Sequence, residues 1–413
     1  MRNTFWIAQL TPPERSTTIA TFGGWMLDGL DVMVYSFVIP TLILEWHLSQ
    51  GQAGLLATVT LLLSAVGGWL AGIAADQYGR TKILQITILW FALFTFLSGF
   101  TNSYGQLLVI RGLQGLGFGG EWSVGSVLIG EAIRSQWRGK AVGTVQSGWA
   151  IGWGLAAVCY ALVFSVLPSS LAWRVMFWIG ILPAFLVIYI RRSVPESGLW
   201  QQTREAAEAS GATLSFLAIF NRETLRITSL TSLMSIGLQG GYYAITTWLP
   251  TFLKTTRGLS VLNTGAYLCV VIFGSFCGYL VSAYCSDWLG RKATLLLFAL
   301  SSGIAVWAYT GLPISNRAML VLGFPLGFFV SGSFSPVGAY FTELFPGRCR
   351  ASAQGFSYNI GRGFGALFPA LVGFMSARID FGHAIALFAT GAYLAVIVAT
   401  VFLPETRNKL LQS

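Results

Sequence analysis

Five ionisable residues lie within long apolar runs of this chain: Asp28, Asp31, Arg111, Glu121 and Arg362. Placing an isolated charge at the centre of a membrane helix costs roughly 2.5–3.5 kcal/mol. Five such charges would exceed a membrane protein's margin of stability, so they must face a protein interior or a wet cavity, and some must pair or be neutral. Asp28 and Asp31 are three residues apart and share one helix face. Two carboxylates that close in a poor dielectric cannot both ionise easily, and an acid that exchanges its proton near neutral pH is what proton coupling needs. For Asp28 the other role is a cap or brace, with Gly29 permitting close packing. Glu121 stands ten residues, about 15 Å, from Arg111 along one helix. That is too far for direct pairing and leaves proton carriage or substrate contact. Arg362 keeps its charge and can grip a carboxylate through two parallel N–H bonds; its competing role is a structural pair with an acid such as Glu343.

Helices must hold these groups in place. The chain has 413 residues, 54% hydrophobic and 10% charged, with mean hydropathy +0.68. Soluble proteins carry about 25% charged residues, so water is not the main solvent here. Twelve apolar runs, each long enough to cross a hydrocarbon core about 30 Å thick, are expected near 17–44, 51–75, 83–101, 105–131, 141–166, 173–190, 226–253, 262–285, 293–312, 318–344, 352–377 and 382–403. Asp31 then lies about 21 Å along span one, and Arg362 about 15 Å into span eleven.

With a cytoplasmic N-terminus, 18 of the 25 Lys and Arg residues fall on that side of the membrane and 5 on the other. The excess places both termini in the cytoplasm. The net charge of +10 therefore reports topology, and no nucleic-acid partner is expected. Span one carries two Asp and lacks a small-residue cleavage site, so it reads as a retained span and not a signal peptide. The five cysteines have no CxxC or metal spacing. No Ser-His-Asp set, phosphate-binding glycine loop or metal cluster supports an enzyme, and no cofactor is expected beyond protons as the coupling ion.

The chain also repeats itself. Asp76-Gln-Tyr-Gly-Arg-Thr-Lys82 returns 211 positions later as Asp287-Trp-Leu-Gly-Arg-Lys-Ala293. Glu131 with Arg138 returns 212 positions later as Glu343 with Arg350, and Pro195-Glu-Ser197 returns after 209 as Pro404-Glu-Thr406. The long polar interruption 191–225 reads as a cytoplasmic linker with a short surface helix. It separates an N-terminal six-helix bundle, 1–190, from a C-terminal one, 226–413. Two parallel halves are the basic design of a large transporter class.

The Asp-x-x-Gly-Arg loops after spans two and eight, and Arg111-Gly-Leu-Gln-Gly-Leu-Gly117 in span four, resemble the signatures of the major facilitator superfamily. Asp28-Gly-Leu-Asp31 and Trp173-Arg-Val-Met-Phe-Trp-Ile-Gly-Ile-Leu-Pro183 are similar to its organic-acid:proton symporters, which carry aromatic acids, cis,cis-muconate, sialic acid and related metabolites. The resemblance covers essentially the whole chain. It implies an all-α membrane protein of twelve transmembrane helices in two pseudo-symmetric bundles, functioning as a monomer in the bacterial inner membrane. The implied activity is alternating-access uptake of a small organic anion with protons.

The same resemblance distributes roles. Asp28, Asp31, Arg111 and Glu121 become the proton-coupling set, because spans one and four face the central cavity in the superfamily; a fixed strut is the other role open to Arg111. The substrate set comes from the residues themselves: Arg362, one turn beyond Asn359, is the candidate for the substrate's anionic group, and Gln146 and Trp149 on span five with Gln239 and Tyr242 on span seven are candidates to line its cavity, although aromatics also serve ordinary helix packing. Asp76, Gly79, Arg80, Glu131 and Arg138, with their repeats Asp287, Gly290, Arg291, Glu343 and Arg350, become cytoplasmic latches between helices within each half; the bland reading is a solvated turn. Proton-driven efflux is the alternative activity. Superfamily exporters usually carry a Gly-Pro kink in span five, and Gly148-Trp-Ala-Ile-Gly-Trp-Gly154 has no proline.

Overall fold

The computed structural model describes residues 6–48, 50–210, 219–249, 252–259, 261–376, 378–409 and 411. Among these the protein is helical, with no strand. Span one is Pro12–Trp46, started by a capping box in which Thr11 and Glu14 bond reciprocally. Spans two to five are Gln50–Tyr78, Arg80–Ser98, Tyr104–Ala132 and Arg138–Val166. Span six is two pieces, Ser169–Ile179 and Leu182–Ser193. A surface helix, Gly198–Ser210, follows.

Span seven is Leu225–Thr246, followed after a turn by a wider helical segment, Phe252–Thr256, and span eight is Val261–Trp288. Span nine is Arg291–Val306, continued by a wider turn to Gly311. Span ten divides into Asn316–Gly332 and Val337–Leu344, and span eleven into Arg350–Gly365 and Phe368–Met375. Span twelve is Phe381–Phe402. Each divided helix resumes beside a proline: Pro183, Pro336 or Pro369. Proline has no N–H to donate and clashes with the preceding turn, so the helix must restart there.

Nine helices among the described residues are long and apolar enough to cross a membrane. Spans four, seven and eleven fall outside that set because they carry the polar residues of the interior, including Arg111, Glu121, Gln239, Asn359 and Arg362. Large apolar side chains such as Leu62, Val66, Leu162 and Phe374 stay exposed around the outside, a surface suited to lipid and unsuited to water.

Helix contacts repeat when six is added to each span number. Span one packs on five as seven packs on eleven, and two packs on four as eight packs on ten. Across the middle, two packs on eleven as eight packs on five. The polar side chains that matter below lie along this middle junction.

Candidate functional site

A small cavity of about 30 Å³ lies between the helices of the two repeats. Trp25, Gln146 and Trp149 form its wall on one side. Gln239, Tyr242, Tyr243, Tyr279, Phe334, Tyr358 and Arg362 form the other. Trp25 and Gln146 are shared with a smaller neighbouring cavity that contains Glu121 and Trp122. Several wall donors are already engaged. Trp149 Nε1 donates to the Tyr242 hydroxyl at 3.2 Å, Trp122 Nε1 to Gln146 Oε1 at 3.2 Å, and Gln146 Nε2 to the Phe334 carbonyl at 3.4 Å. Others are held more loosely: Gln239 and Arg362 approach the Tyr358 hydroxyl and Arg362 also that of Tyr243, without bonds of ordinary geometry from Gln239 Nε2 or from Arg362 Nε and Nη1, while Trp25 Nε1 has no hydrogen bond. The Arg362 guanidinium sits 4.3 Å above the Phe118 ring and 5.3 Å from that of Tyr358. Tyr358 in turn stacks on Trp122 at 3.5 Å, nearly parallel.

The acids divide into two settings. Asp28 and Glu121 are close neighbours, with Arg362 within electrostatic range of both. Neither Asp28 oxygen receives a hydrogen bond of ordinary geometry. Asp31, one turn further along, accepts from Gln114 Nε2, which also donates to Thr95 Oγ1 at 2.9 Å. Arg111 lies within electrostatic range of Asp31 but makes no ion pair with it; its guanidinium packs 4.6 Å from the Tyr35 ring. All four are buried. Glu121 is the one member of the set on a wall of these two cavities; Asp31 and Arg111 are held among spans one, three and four, away from both. Asn359 is also off the wall. Its amide nitrogen donates to Ser123 Oγ at 2.8 Å, to Gly355 O at 3.0 Å and to Gly119 O at 3.4 Å, tying span eleven to span four. Arg362 makes no pair with Glu343, whose carboxylate is engaged at one end of the molecule.

That end is a closed network of charge. Arg80 pairs with Asp76 at 2.9 Å and Glu131 at 3.4 Å; Arg291 pairs with Asp287 and Glu343, both at 2.8 Å. The network is not confined to each half, as a purely local latch would be. Arg350 reaches Glu131 at 2.8 Å and Arg138 reaches Glu343 at 3.0 Å, so the repeated Glu/Arg pairs exchange partners across the junction. Each Asp also accepts from the first turn of a helix in the other half. Asp76 receives the backbone N–H groups of Ala351 and Ser352, at 3.3 and 2.8 Å; Asp287 receives those of Gly139 and Lys140, at 3.0 and 2.9 Å. An anion at a helix N-terminus satisfies orphan donors and meets the positive end of the helix dipole.

Glu196 and Glu405 were legible as a repeat but had no assigned work. Each caps the helix that follows the charged turn, Glu196 accepting from Arg80 N and Thr81 N, Glu405 from Arg291 N and Lys292 N. Their neighbours Ser197 and Thr406 donate to Glu131 and Glu343. Gly79 and Gly290, at φ 107° and 100°, make the turns possible. A side chain there is strained by its backbone and would also meet the capping glutamate. Trp25, Tyr279, Phe334 and Tyr358 are cavity residues the sequence did not single out, since an aromatic in a membrane helix gives no sign of which way it faces.

The geometry defines a multi-pass membrane transporter: a helical shell exposed to lipid, a buried polar site between two repeats, and a charged closure at one end. The Major Facilitator Superfamily model matches residues 21–317, and the sugar (and other) transporter model matches residues 226–413. A probable 4-methylmuconolactone transporter of Cupriavidus pinatubonensis is 43% identical over 403 residues, 98% of this chain and 93% of that protein. A cis,cis-muconate transport protein of Acinetobacter baylyi is 29% identical, covering 94% of each chain. Among solved structures, the proton:xylose symporter XylE superposes with a TM-score of 0.80 over 97% of this chain and 98% of that one; at 21% identity the likeness concerns the fold. The chain belongs to the major facilitator superfamily and is a transporter, not an enzyme.

Proposed function

We propose that this transporter takes up a small organic acid anion together with a proton, by alternating exposure of the central cavity. Residues 1–190 and 226–413 act as the two rocking units and 191–225 joins them. The observation that carries the reading is Arg362. It is the one base on the cavity wall among the described residues, buried beside the Tyr243 and Tyr358 hydroxyls, with Asp28 and Glu121 within electrostatic range. A fixed guanidinium suits a carboxylate, and neighbouring acids in a low-dielectric site suit a proton that travels with it. The names of the muconolactone and muconate relatives support an organic acid as the cargo.

Asn359 keeps a place in this reading as a residue that fastens the junction behind the site. Asp31 and Arg111, away from the wall, act on coupling through span one and not by touching substrate. The bias of basic residues sets both termini in the cytoplasm of a bacterial inner membrane, and the protein works as a monomer. A monoanion carried with one proton moves no net charge, so accumulation follows the pH gradient and not the membrane potential, which supplies about 2.3 kcal/mol per charge at 100 mV.

Proteoliposomes holding the purified protein test this directly. Labelled carboxylates should accumulate when the inside is made alkaline, with little response to an imposed potential. Accumulation of no carboxylate, with expulsion of a lipophilic cation instead, would replace uptake by efflux.

A further inference from the structure

We propose that the seam between spans five and eight, at the charged end of the molecule, holds the headgroup of an anionic phospholipid, and that this lipid helps to keep the end closed. The site lies on the outer surface, apart from the central cavity, and does not depend on the cargo.

An open cavity of about 590 Å³ lies at this seam. Leu280 and Val281 of span eight make its wall apolar farther from the charged end, and Tyr284 and Trp288 follow at the next two turns of the same helix. Trp288 is 72% exposed, and an indole at the end of a membrane helix marks the depth of the membrane interface. Beyond this aromatic pair the wall turns basic, with Lys140 at the start of span five and Arg407 in the segment after span twelve. The order apolar, aromatic, basic along one groove matches the acyl chain, ester region and phosphate of a phospholipid. Basic pockets between membrane helices take anionic headgroups in this way.

The charges are available. The Lys140 ammonium lies 5.3 Å from the Tyr284 ring centroid. Neither it nor Arg407 forms an ion pair among the described residues. Asp287 also borders the cavity, but its carboxylate already accepts from Arg291 at 2.8 Å and from the Gly139 and Lys140 backbone N–H groups. With Asp287 balanced by Arg291, both bases are left to attract an anion.

The opposite seam separates these residues from the latch itself. Spans two and eleven meet there as eight and five do here, and Asp76 accepts the same kind of backbone bonds as Asp287. Shifted by the repeat, however, Lys140 becomes Ser352 and Arg407 becomes Gly198, while Tyr284 and Trp288 become Ile73 and Gln77. At that seam the surface helix sends Trp200 to donate to the Asp76 carbonyl at 2.8 Å. What both closures need recurs in both; the two bases and two aromatics occur once. A phosphate shared by Lys140 and Arg407 ties span five of the first repeat to the tail of the second, a fastening that opening would break.

Native mass spectrometry of the delipidated full chain tests the site, with dioleoyl phosphatidylglycerol, dioleoyl phosphatidylcholine and inorganic phosphate as probes. Phosphatidylglycerol should bind at least tenfold more tightly than phosphatidylcholine. Each basic residue lost near an anionic headgroup should cost about 5-fold, so Lys140→Gln combined with Arg407→Gln should weaken binding roughly 20-fold. Lys140→Arg should keep it, and Arg348→Gln, on the opposite seam, should change it less than twofold. In a chain with Cys349 as its sole cysteine, adding phosphatidylglycerol to phosphatidylcholine vesicles should slow maleimide labelling roughly threefold or more, and the double variant should abolish that slowing. No preference for phosphatidylglycerol, an undiminished preference in the double variant, or an equal loss in Arg348→Gln would overturn the site. Inorganic phosphate binding as tightly as the lipid would make it a site for a free anion and overturn the lipid assignment. Labelling of Cys349 indifferent to the lipid would overturn its part in closure.

Discussion

At the latch end, each acid has a counterpart 209 to 212 residues away, and both copies make the same contacts. Asp76 does for one junction what Asp287 does for the other, and Glu131 and Glu343 hold equivalent arginines. In the interior the correspondence is gone. Shifted by 212, Asp28, Glu121 and Arg362 fall on Gly240, Ser333 and Ala150. The closure is paired in the same way in both copies; the cavity is asymmetric, with its one base among the described residues, Arg362, on a single repeat. Motion shared by two halves needs equal contacts on both sides, whereas recognition of one small anion needs a single positive point.

The sharpest way to break this comparison is at Arg362. Hydrogen bonds to a charged group contribute about 1.5–3 kcal/mol each, so Arg362→Ala should weaken substrate binding by roughly 100-fold or more. Arg362→Lys should recover only a small part of that, lacking the planar fork. Unchanged affinity in the Lys variant, measured by titration with 4-methylmuconolactone, would remove the anion clamp from the cavity.

Next comes the latch. Glu343→Gln strips a buried carboxylate from Arg138 and Arg291, and breaking such a pair costs about 3–5 kcal/mol. Cys349 is fully buried at this end. In a chain whose other four cysteines are serine, its labelling by a maleimide should speed at least tenfold in Glu343→Gln and comparably in Glu131→Gln. A large difference between the two would mean that the copies are not equivalent.

Smaller effects follow at the turns. Gly79→Ala and Gly290→Ala each impose a side chain at positive φ and should lower stability by about 1–3 kcal/mol, read as matching drops in the thermal midpoint. The least effect is expected from Asn359→Ala, which removes bonds between spans but no cavity wall; substrate affinity should stay within about threefold. A tenfold loss there would return Asn359 to the binding surface.

The sequence carried the fold well because membrane burial writes itself in long apolar runs, and because the duplication survives in charged turns. Span boundaries came within a few residues for most helices. Hydropathy missed the divided helices, since an apolar run looks continuous across Pro183, Pro336 or Pro369. At the site, buried charges were easy to find, yet their direction was not. Asp28 and Asp31 share a face of span one and still meet different partners on span four, Glu121 and Gln114. The exchange of Glu131 and Glu343 between halves was equally hidden, because repeats reveal equivalence and say nothing of which copy an arginine will choose.

That exchange has a consequence for the energy of switching. Glu131 is held by Arg80 from its own repeat and Arg350 from the other, and Glu343 likewise by Arg291 and Arg138. When the end opens, each carboxylate loses one arginine and keeps one, so neither anion is stranded in a poor dielectric at any stage. The released arginines emerge into the widening gap, where water can reach them. The closed state can thus be firmly held and still be left without a steep electrostatic barrier, which is what a cycle repeated at every turnover requires.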